Sequence, residues 1–545
     1  MILNLSNKFG RNILNNYLNS LFKIDVYLKE FIENNFLIVN FILFFSNIFC
    51  IFVLILNCIY YKCTNNLSVK LVKLLKYFID NCGVIYIKTI QWILSKDDLI
   101  NIDTISINIL KNNFSDVFDN NYYHTYKYTK NILDLEFYNK LDNSYFQKNF
   151  IKNLNIKNNK KFDVQNLFIN VNSISSGSIA QIYEAHYYDV SYLNNNYDNS
   201  DSKNIKKLCI KIVHPYVYLQ CFWSNLFLKI LFYTIYYFKK DFNLFNIPFD
   251  YNILYKQFLD QCNMKNEYEN LLKFYNNYYD NKYIIIPKPL YANNNILVME
   301  YEEGEKIDNL NESQYTKNKI MMLLNIFNYD CLLNKSIFHC DLHEGNWKLQ
   351  KFNNFYKLVL YDFGYCQVFN NNDNFKYFLH SWMCNDITKI INYSFELFIK
   401  INEYEREKIF NESSEYLHNI LGKSIDFLTL IKMLIFISNK YGSKLNNEPF
   451  NIILSFMLIE KNLKKYFIVK DEKSLINYVS KSDKYNNIKQ NCFNNIAFCK
   501  EHNIFDKMIE FYQEFINNND NKFKNNFQNK GRKKKECKKN NIINI

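Results

Sequence analysis

Two short aspartate motifs constrain this chain more than any other feature. Asp341 is followed five residues later by Asn346 in "HCDLHEGN", and Asp362 opens the tripeptide "DFG" in "LVLYDFGYC". In phosphoryl-transfer enzymes the first Asp orients the attacking hydroxyl, while the Asn and the second Asp bind Mg²⁺. "DFG" alone is also compatible with a turn at the end of a strand. The order and spacing of the two motifs together predict a nucleotide site in which Asp341 is catalytic and Asn346 and Asp362 bind magnesium.

A zinc site is the alternative for the first motif. Its possible ligands are His339, Cys340, Asp341 and His343. The two histidines are four residues apart, but Gly345 disfavours a helix that would bring them to one face, and no partner His/Cys pair accompanies them. We therefore favour the magnesium interpretation, with the two histidines packing the loop and forming hydrogen bonds in it.

Residues for the nucleotide itself occur upstream of these motifs. Lys211 lies in the strand-like segment "LCIKIVHP", where a lysine can contact the α- and β-phosphates. Its expected partner is Glu267, within a helical pattern that runs from 258 to 278. The segment "ILVMEYEEG" predicts a buried strand, after which Glu300 and Tyr301 lie where the backbone of a hinge would hydrogen-bond adenine. The alternative for Lys211 is an ordinary lysine on the solvent face of a strand.

The motif order predicts an α+β, two-lobed protein-kinase-like fold with a small β-rich N-lobe and a helical C-lobe. An N-terminal helical extension and one transmembrane helix precede the lobes. The predicted domains are a basic targeting segment (1–35), the transmembrane helix (36–60), the extension (61–160), the N-lobe with insertions (161–301), the C-lobe (302–516) and a disordered basic tail (517–545).

The transmembrane prediction rests on the run from Phe36 to Tyr60, which carries no charged residue. Its length exceeds the roughly 20 residues that span a bilayer. A buried helix of a globular domain is the alternative. A second apolar run, from Cys221 to Phe238, contains Lys229 and predicts a buried or interfacial helix.

Composition excludes several classes of protein. Hydrophobic residues make up 48% of the chain and aromatic residues 18%, which is incompatible with a disordered protein. Part of the net charge of +13 lies in the tail, and the remaining basic residues show no regular interleaving with aromatic ones, so we expect no nucleic-acid partner. The fourteen cysteines are scattered, which indicates reduced thiols in an intracellular protein.

With these residues in line, the chain resembles the UbiB family of aarF-domain-containing atypical kinases. The segment "SSGSIAQIYEA" is similar to the family's nucleotide loop, which differs from the glycine-rich loop of ordinary kinases. It supplies four candidate cofactor-binding residues, Ser178, Ile179, Ala180 and Gln181. The segment "GVIYIKTIQW" is similar to the family's K-x-G-Q signature, with Ile90 in place of its Gly. The resemblance implies that Lys88 and Gln91 cover the cleft where a peptide substrate would dock.

The resemblance also implies a function. The family binds ATP with Mg²⁺, and its ATPase or small-molecule and lipid-directed phosphotransfer supports ubiquinone (coenzyme Q) biosynthesis at the mitochondrial inner membrane. The expected partners are therefore adenine nucleotide, a membrane lipid or ubiquinone precursor, and proteins of ubiquinone biosynthesis. Protein kinase activity is not expected, because no A-P-E segment follows Asp362. The alternatives are a small-molecule kinase of the aminoglycoside or choline kinase type and a catalytically inactive membrane scaffold.

Overall fold

The structure of the protein is a computed structural model. It describes residues 29–95, 103–114, 123–138, 171–188, 205–237, 251–281, 283–331, 335, 337–352, 355–368, 373–383, 386–398, 401–419 and 427–466. The predicted basic tail and most of the predicted targeting segment lie outside the described residues. The chain divides into two compact units: Met1–Leu244, Tyr255–Leu272 and Pro287–Glu302 form the first, and Phe245–Leu254, Lys273–Ile286 and Glu303–Ile545 form the second.

Five helices that lie wholly within the described residues precede the sheet of the first unit. They are α1 (Phe36–Thr64), α2 (Val69–Cys82), α3 (Val84–Ser95), α4 (Thr104–Asn113) and α5 (Tyr126–Leu133), the last continued by a π-helix at Asp134–Tyr138. Helix α1 packs against α2 along a stripe that includes Leu43, Cys50 and Val53, which are buried. Two asparagines lie on the same stripe and bond to backbone carbonyls, Asn47 to Leu43 and Asn57 to Val53 and Leu71. The side chains of these two asparagines therefore face the protein.

A five-stranded antiparallel sheet follows in the first unit. Its strands are β1 (Val171–Ser176), β2 (Ala180–Tyr188), β3 (Ile205–Val213), β5 (Pro289–Ala292) and β6 (Ile296–Glu300), in the order β1-β2-β3-β6-β5. Strand β3 is central, paired with β2 along its whole length and with β6 from Leu208 to Ile212. Its side chains at Leu208, Ile210 and Ile212 are fully buried. This strand therefore provides a rigid base for Lys211.

Three further helices are described between β3 and β5. They are α6 (Val217–Tyr237), α7 (Tyr251–Gln261) and α8 (Met264–Tyr278), and the division between the units falls within α7 and within α8. Helix α6 packs on α1 and α3. The aromatic ring of Trp223 meets Phe44 of α1 at 5.2 Å between centroids, and its indole N–H donates to Asn40 at 2.8 Å. The second apolar run of the sequence is thus joined to the first.

The second unit contains helices, short strands and the two aspartate motifs. Its strands are β4 (Ile284–Ile285), β7 (Ile337–His339), β8 (Trp347–Phe352), β9 (Phe355–Leu360) and β10 (Cys366–Val368). They form a three-stranded sheet, β4-β9-β8, and a two-stranded ribbon, β10-β7. Its α-helices are α9 (Gln314–Asp330), α10 (Asp373–Met383), α11 (Ile387–Ser394), α12 (Arg406–His418), α13 (Phe427–Tyr441) and α14 (Asn447–Tyr466), and 3₁₀ turns lie at Ile307–Asn309, Phe395–Leu397 and Glu403–Glu405.

The sequence pattern predicts a mostly helical region after residue 310, and the described residues of that region also form four strands. They lie on both sides of the two motifs, where the chain must reverse twice within about thirty residues. Strand β7 leads into Asp341, and β9 leads into Asp362. Because a strand advances about 3.3 Å per residue, a few residues are enough to cross the buried interior and place each aspartate at the end of the crossing.

Gly83, between α2 and α3, is a position that only glycine satisfies. Its φ is +98°, which side-chain-bearing residues rarely adopt. A Cβ atom there would also lie 2.8 Å from the Cβ of Gln220 on α6. The backbone at the start of the helix that carries Lys88 and Gln91 therefore packs closely against the side chain of Gln220.

We expect Gly83→Ala to lower the free energy of unfolding by about 2 kcal/mol or more, because backbone strain and steric overlap add. Gly442→Ala is the matched control: Gly442 has φ +67° but no atom within 4 Å of its ideal Cβ, so only the backbone cost applies. Chemical denaturation of the purified protein measures both. Equal losses in the two variants would show that the contact with Gln220 has no effect.

Candidate active site

The predicted nucleotide loop closes the hairpin between β1 and β2. Ser176 pairs with Gln181, and the N–H of Gly177 donates to the carbonyl of Ala180 at 2.9 Å. Ser178, Ala180 and Gln181 are buried, and Ile179 is half-buried. Neither Gly177 nor Ala180 takes a positive φ. The turn is thus built without the left-handed glycine conformations that shape other phosphate loops.

Lys211 and Glu267 form a buried ion pair in the first unit. Lys211 lies on β3 opposite Ile182 of β2 and Leu297 of β6, and Glu267 lies in the first turn of α8. The ammonium group of Lys211 donates to Oε1 of Glu267, and both residues are less than a tenth exposed. The structure therefore brings together the two residues that the sequence proposes as partners, and Lys211 is not the solvent-facing lysine of the alternative.

The two predicted hinge residues lie where β6 ends. The N–H of Glu300 donates to the carbonyl of Lys288, and the N–H of Tyr301 donates to the carbonyl of Lys207 at 3.2 Å. The ammonium group of Lys207 lies 5.4 Å from the centroid of the Tyr301 ring. Since both N–H groups already have protein acceptors on opposite sides of the strand, an adenine would meet this backbone through a single carbonyl oxygen.

Lys88 and Gln91 lie one turn apart on α3 and are both half-buried. Helix α3 packs against α2 and α6, all within the first unit. The role of these two residues as a cover over the cleft remains a prediction.

The first aspartate motif lies in the second unit and is held by His339 at the end of β7. The backbone N–H of Asp341 donates to Nδ1 of His339 at 3.2 Å, and Nε2–H of His339 donates to the carbonyl of Tyr361 at 3.2 Å. Burial lowers the pKa of His339, which keeps the ring neutral and allows this pattern of one acceptor and one donor. The imidazole of His339 thus links Tyr361, the residue before "DFG", to Asp341. The sequence analysis predicts this packing and hydrogen-bonding role for His339.

Asn346 provides a second link between the motifs. Its side-chain Nδ2–H donates to the carbonyl of Asp341 at 2.9 Å, and its own carbonyl accepts from the N–H of Tyr361 at 2.9 Å. Asp341 itself is half-buried, with Oδ2 3.7 Å from Nε2 of His343. The three site residues Asp341, Asn346 and Asp362 are therefore connected through backbone groups of the loop.

Asp362 has a backbone conformation that is uncommon for a residue with a side chain. Its φ is +54°, and Asp tolerates this region better than most residues. Its Oδ1 accepts from the N–H of Gly364 at 3.3 Å, while Phe363 turns into the core against Phe274 and His339. With this backbone conformation the two neighbouring side chains point in different directions: Phe363 is buried and Asp362 is half-exposed.

The residues of the second unit fit Mg²⁺ by their donor chemistry. Because Nδ2 of Asn346 is engaged by the loop, Oδ1 is the atom of its amide left to act as an acceptor. Together with the carboxylate of Asp362 it supplies two hard oxygens, which are the ligands that magnesium prefers while it retains waters and phosphate oxygens.

Two buried histidines beside the nucleotide loop, His124 and His214, receive no role from the sequence. His214 lies three residues after Lys211 in "KIVHP". This short separation in sequence could have indicated that His214 lies near the nucleotide loop. His124 lies in a stretch without a motif, and only the folded chain brings it to the loop.

The comparison with protein-family models matches part of the chain. The model of the ABC1 atypical kinase-like domain matches residues 143–394. This domain confirms the resemblance to UbiB-type atypical kinases and includes every candidate site residue except Lys88 and Gln91. No curated protein matches the chain. Among solved structures the chain is similar to one described as the complex structure of Rv3197-erythromycin from Mycobacterium tuberculosis, with 12% identity, coverage of 64% of this chain and 93% of that chain, and a TM-score of 0.34.

We expect the two members of the ion pair to be energetically coupled. Lys211→Met leaves the carboxylate of Glu267 buried without its partner and should destabilise the protein by about 3 kcal/mol. The double substitution Lys211→Met with Glu267→Leu removes both charges and should return stability to within about 1 kcal/mol of the wild type. Chemical denaturation without nucleotide tests this. A double variant as unstable as the sum of the two single variants would contradict the coupling.

Proposed function

We propose that the protein is an atypical kinase-like ATP-binding enzyme, either an ATPase or a phosphotransferase acting on a small or lipid-linked molecule. The observation that carries the proposal is the buried pair of Lys211 and Glu267 within the ABC1 atypical kinase-like domain. A buried ion pair gives little net stability compared with apolar residues of the same size, so its presence needs a reason other than stability. Holding a lysine rigidly for the phosphates of a nucleotide is such a reason.

In the proposed reaction each residue of the chain has a limited task. Lys211 binds the α- and β-phosphates as a point charge whose direction is set by Glu267. The loop from Ser178 to Gln181 lies over the phosphates, and one backbone carbonyl group at Glu300 or Tyr301 accepts from the adenine amino group. The carboxylate of Asp341 orients the attacking hydroxyl or water and accepts its proton.

Asn346 and Asp362 would hold Mg²⁺ through one amide and one carboxylate oxygen. When bound, magnesium neutralises charge on the phosphate oxygens of the transition state. The bond from Tyr361 to the carbonyl of Asn346 keeps these two ligands in a fixed relation within the second unit.

The acceptor is proposed from what the chain resembles. Lys88 and Gln91, as the cover of the cleft, would exclude a peptide, and a small or lipid-linked acceptor remains. We place the activity in support of ubiquinone biosynthesis or mitochondrial lipid metabolism, on the basis of the family resemblance. A kinase of the aminoglycoside or choline kinase type is the second candidate for the catalytic loop. An inactive scaffold is the third candidate, and the residues for nucleotide binding speak against it.

We expect ATP with Mg²⁺ at about one hundred times its dissociation constant to stabilise the wild-type protein by roughly 2.7 kcal/mol. Lys211→Ala and Asp362→Asn should each remove most of this stabilisation, measured against the same variant without ligand. Lys265→Ala and Asp308→Asn change exposed residues of the same types and should retain it.

Two results would contradict the proposal in different ways. A wild-type melting temperature that ATP leaves unchanged, with and without magnesium, contradicts nucleotide binding. Stabilisation by ATP with neither hydrolysis nor transfer of phosphate to a small or lipid-linked acceptor in membranes supports the inactive scaffold instead.

We further propose that α1 crosses a membrane, with the protein as a single-pass component of the mitochondrial inner membrane. Its 29 residues have a mean hydropathy of 2.6 over the most apolar window, and at 1.5 Å per residue they extend about 43 Å. That exceeds a hydrocarbon core of about 30 Å. The outward face of α1 carries exposed apolar residues, among them Phe41, Phe45, Phe52 and Ile59.

Helix α6 extends this apolar face. Four of its exposed residues recur every fourth position: Tyr218, Phe222, Leu226 and Ile230. The ring of Phe222 contacts Trp223, which contacts Phe44, which in turn contacts the exposed Phe45, so the two exposed faces are connected by ring contacts. An exposed apolar area of this extent requires a cover, and the hydrocarbon of a bilayer fits a face that begins on a helix of spanning length.

We expect the wild-type protein to remain in the membrane pellet after carbonate extraction. Arginine at both Phe45 and Phe52 should move a large share into the soluble fraction, because each charge on an apolar span costs about 3 kcal/mol near the middle of a bilayer. Tyr404→Arg is the control, since Tyr404 is 98% exposed on the second unit. Full extraction of the wild type would overturn the membrane proposal and leave nucleotide binding unaffected.

A further inference from the structure

Behind the nucleotide loop, four buried side chains form a continuous hydrogen-bonded row. Nδ1 of His124 lies 2.8 Å from Nδ1 of His214, and Nε2 of His124 lies 2.9 Å from Oγ1 of Thr129. The hydroxyl groups of Thr129 and Tyr183 are 2.5 Å apart. At the other end Nε2 of His214 lies 3.0 Å from the carbonyl oxygen of Gly177. None of the four side chains belongs to the proposed catalytic set.

The protons of this row can be assigned from one fixed end. The carbonyl of Gly177 can only accept, so Nε2 of His214 carries the hydrogen and its Nδ1 accepts from Nδ1–H of His124. Nε2 of His124 then accepts from the hydroxyl of Thr129, which accepts from the hydroxyl of Tyr183. Burial lowers the pKa of His124 to about 3 and that of His214 to about 4, so both rings are neutral and the row has one direction.

His214 holds the loop at two places. Besides the side-chain bond to Gly177, its backbone N–H donates to the carbonyl of Ile179 at 2.9 Å. The carbonyl groups of Gly177 and Ile179 therefore both point toward His214. Within the part of the chain that the structure describes, the N–H groups of Ser178 and Ile179 have no protein acceptor. Phosphate binding needs this arrangement, because N–H groups attract an anion and carbonyl oxygens repel it.

His124 supports His214 from outside the kinase-like domain, which begins at residue 143. The backbone N–H of His124 donates to Oε1 of Gln181 at 3.0 Å, so this residue also contacts the far side of the loop. Its neighbour Thr125 donates its backbone N–H to the carboxylate of Glu33 at 3.0 Å, next to the start of α1. The position of His124 is thus fixed by the N-terminal extension and by the segment that precedes the apolar helix.

We propose that His214, oriented by His124, is a positioning residue that turns the loop carbonyls away from the nucleotide and leaves the N–H groups of Ser178 and Ile179 to the phosphates. The proposal rests on the proposed nucleotide-binding function. It adds that the N-terminal extension is needed for the loop to accept phosphate.

The first test measures the loop without nucleotide. Hydrogen–deuterium exchange of the full-length protein reports the peptide that covers residues 176–182. His214→Leu removes the donor to Gly177 and should accelerate exchange there by about tenfold. His214→Gln can donate from its amide nitrogen and should restore slow exchange. His186→Leu, on the same sheet but outside the row, is the control and should leave the peptide unchanged.

His124→Leu is a second variant that leaves the bonds of His214 to the loop in place. It should accelerate exchange at 176–182 by a few fold, which keeps the proposal testable if His214→Leu does not fold. Exchange in this peptide equal to the wild type in either variant overturns the positioning role. Faster exchange throughout the first unit also overturns it, because the row would then stabilise the unit in general.

The second test measures ATP hydrolysis. We expect His214→Leu to raise KM for ATP about tenfold, with kcat changed less, and His214→Gln to return KM toward the wild-type value. An unchanged KM in His214→Leu overturns the proposal. If exchange responds as expected but ATP neither stabilises nor is hydrolysed by the wild type, the proposed function fails, and the row remains a determinant of loop conformation only.

Discussion

The central position of strand β3 is the constraint on which the first unit depends. The strand is hydrogen-bonded on both sides, so it cannot shift register without breaking two ladders. Lys211 lies near its end among fully buried isoleucines, and His214 follows directly after it. One element, β3, therefore positions the lysine, the loop between β1 and β2, and the backbone at the end of β6. Because the ammonium group of Lys211 is buried here, a carboxylate has to neutralise its charge. Helix α8 supplies that carboxylate in its first turn.

The second unit solves a different problem, which is to place an acid and an amide on irregular chain between short strands. The loop has few side chains of its own that could hold it, so backbone groups of the two motifs bond to each other and to the ring of His339. The positive φ of Asp362 costs conformational energy, and this cost is offset by the burial of Phe363 against aromatic neighbours. A residue in such a conformation at a candidate site is an instance of local strain retained where chemistry is proposed.

Much of this arrangement could be predicted from sequence, because rare residue types at fixed spacing carry most of the information. Asp341, Asn346 and Asp362 were recognisable by order alone, and the pairing of Lys211 with Glu267 followed from the strand and helix patterns. The strands around the motifs were not predicted, since segments such as "IFH" and "CQV" are too short to show a period of two. His124 could not be found either, because its role depends on a contact with a residue ninety positions away. The apolar run of α6 is ambiguous by composition: only its packing shows that one side meets α1 and the other is exposed.

The asparagines of α1 have a consequence for biosynthesis. Asn40 bonds to Trp223, which is 183 positions later in the chain, and Asn57 bonds to Leu71 only after α2 has folded back. When the ribosome has just released α1, these amides lack their later partners, and the isolated helix is less apolar in effect than the finished one. If α1 spans a membrane as proposed, its stable insertion is coupled to completion of the first unit. In that case a chain whose synthesis stops before α6 presents an anchor whose amides lack their later partners, and such truncated products are suited to removal by quality-control proteases.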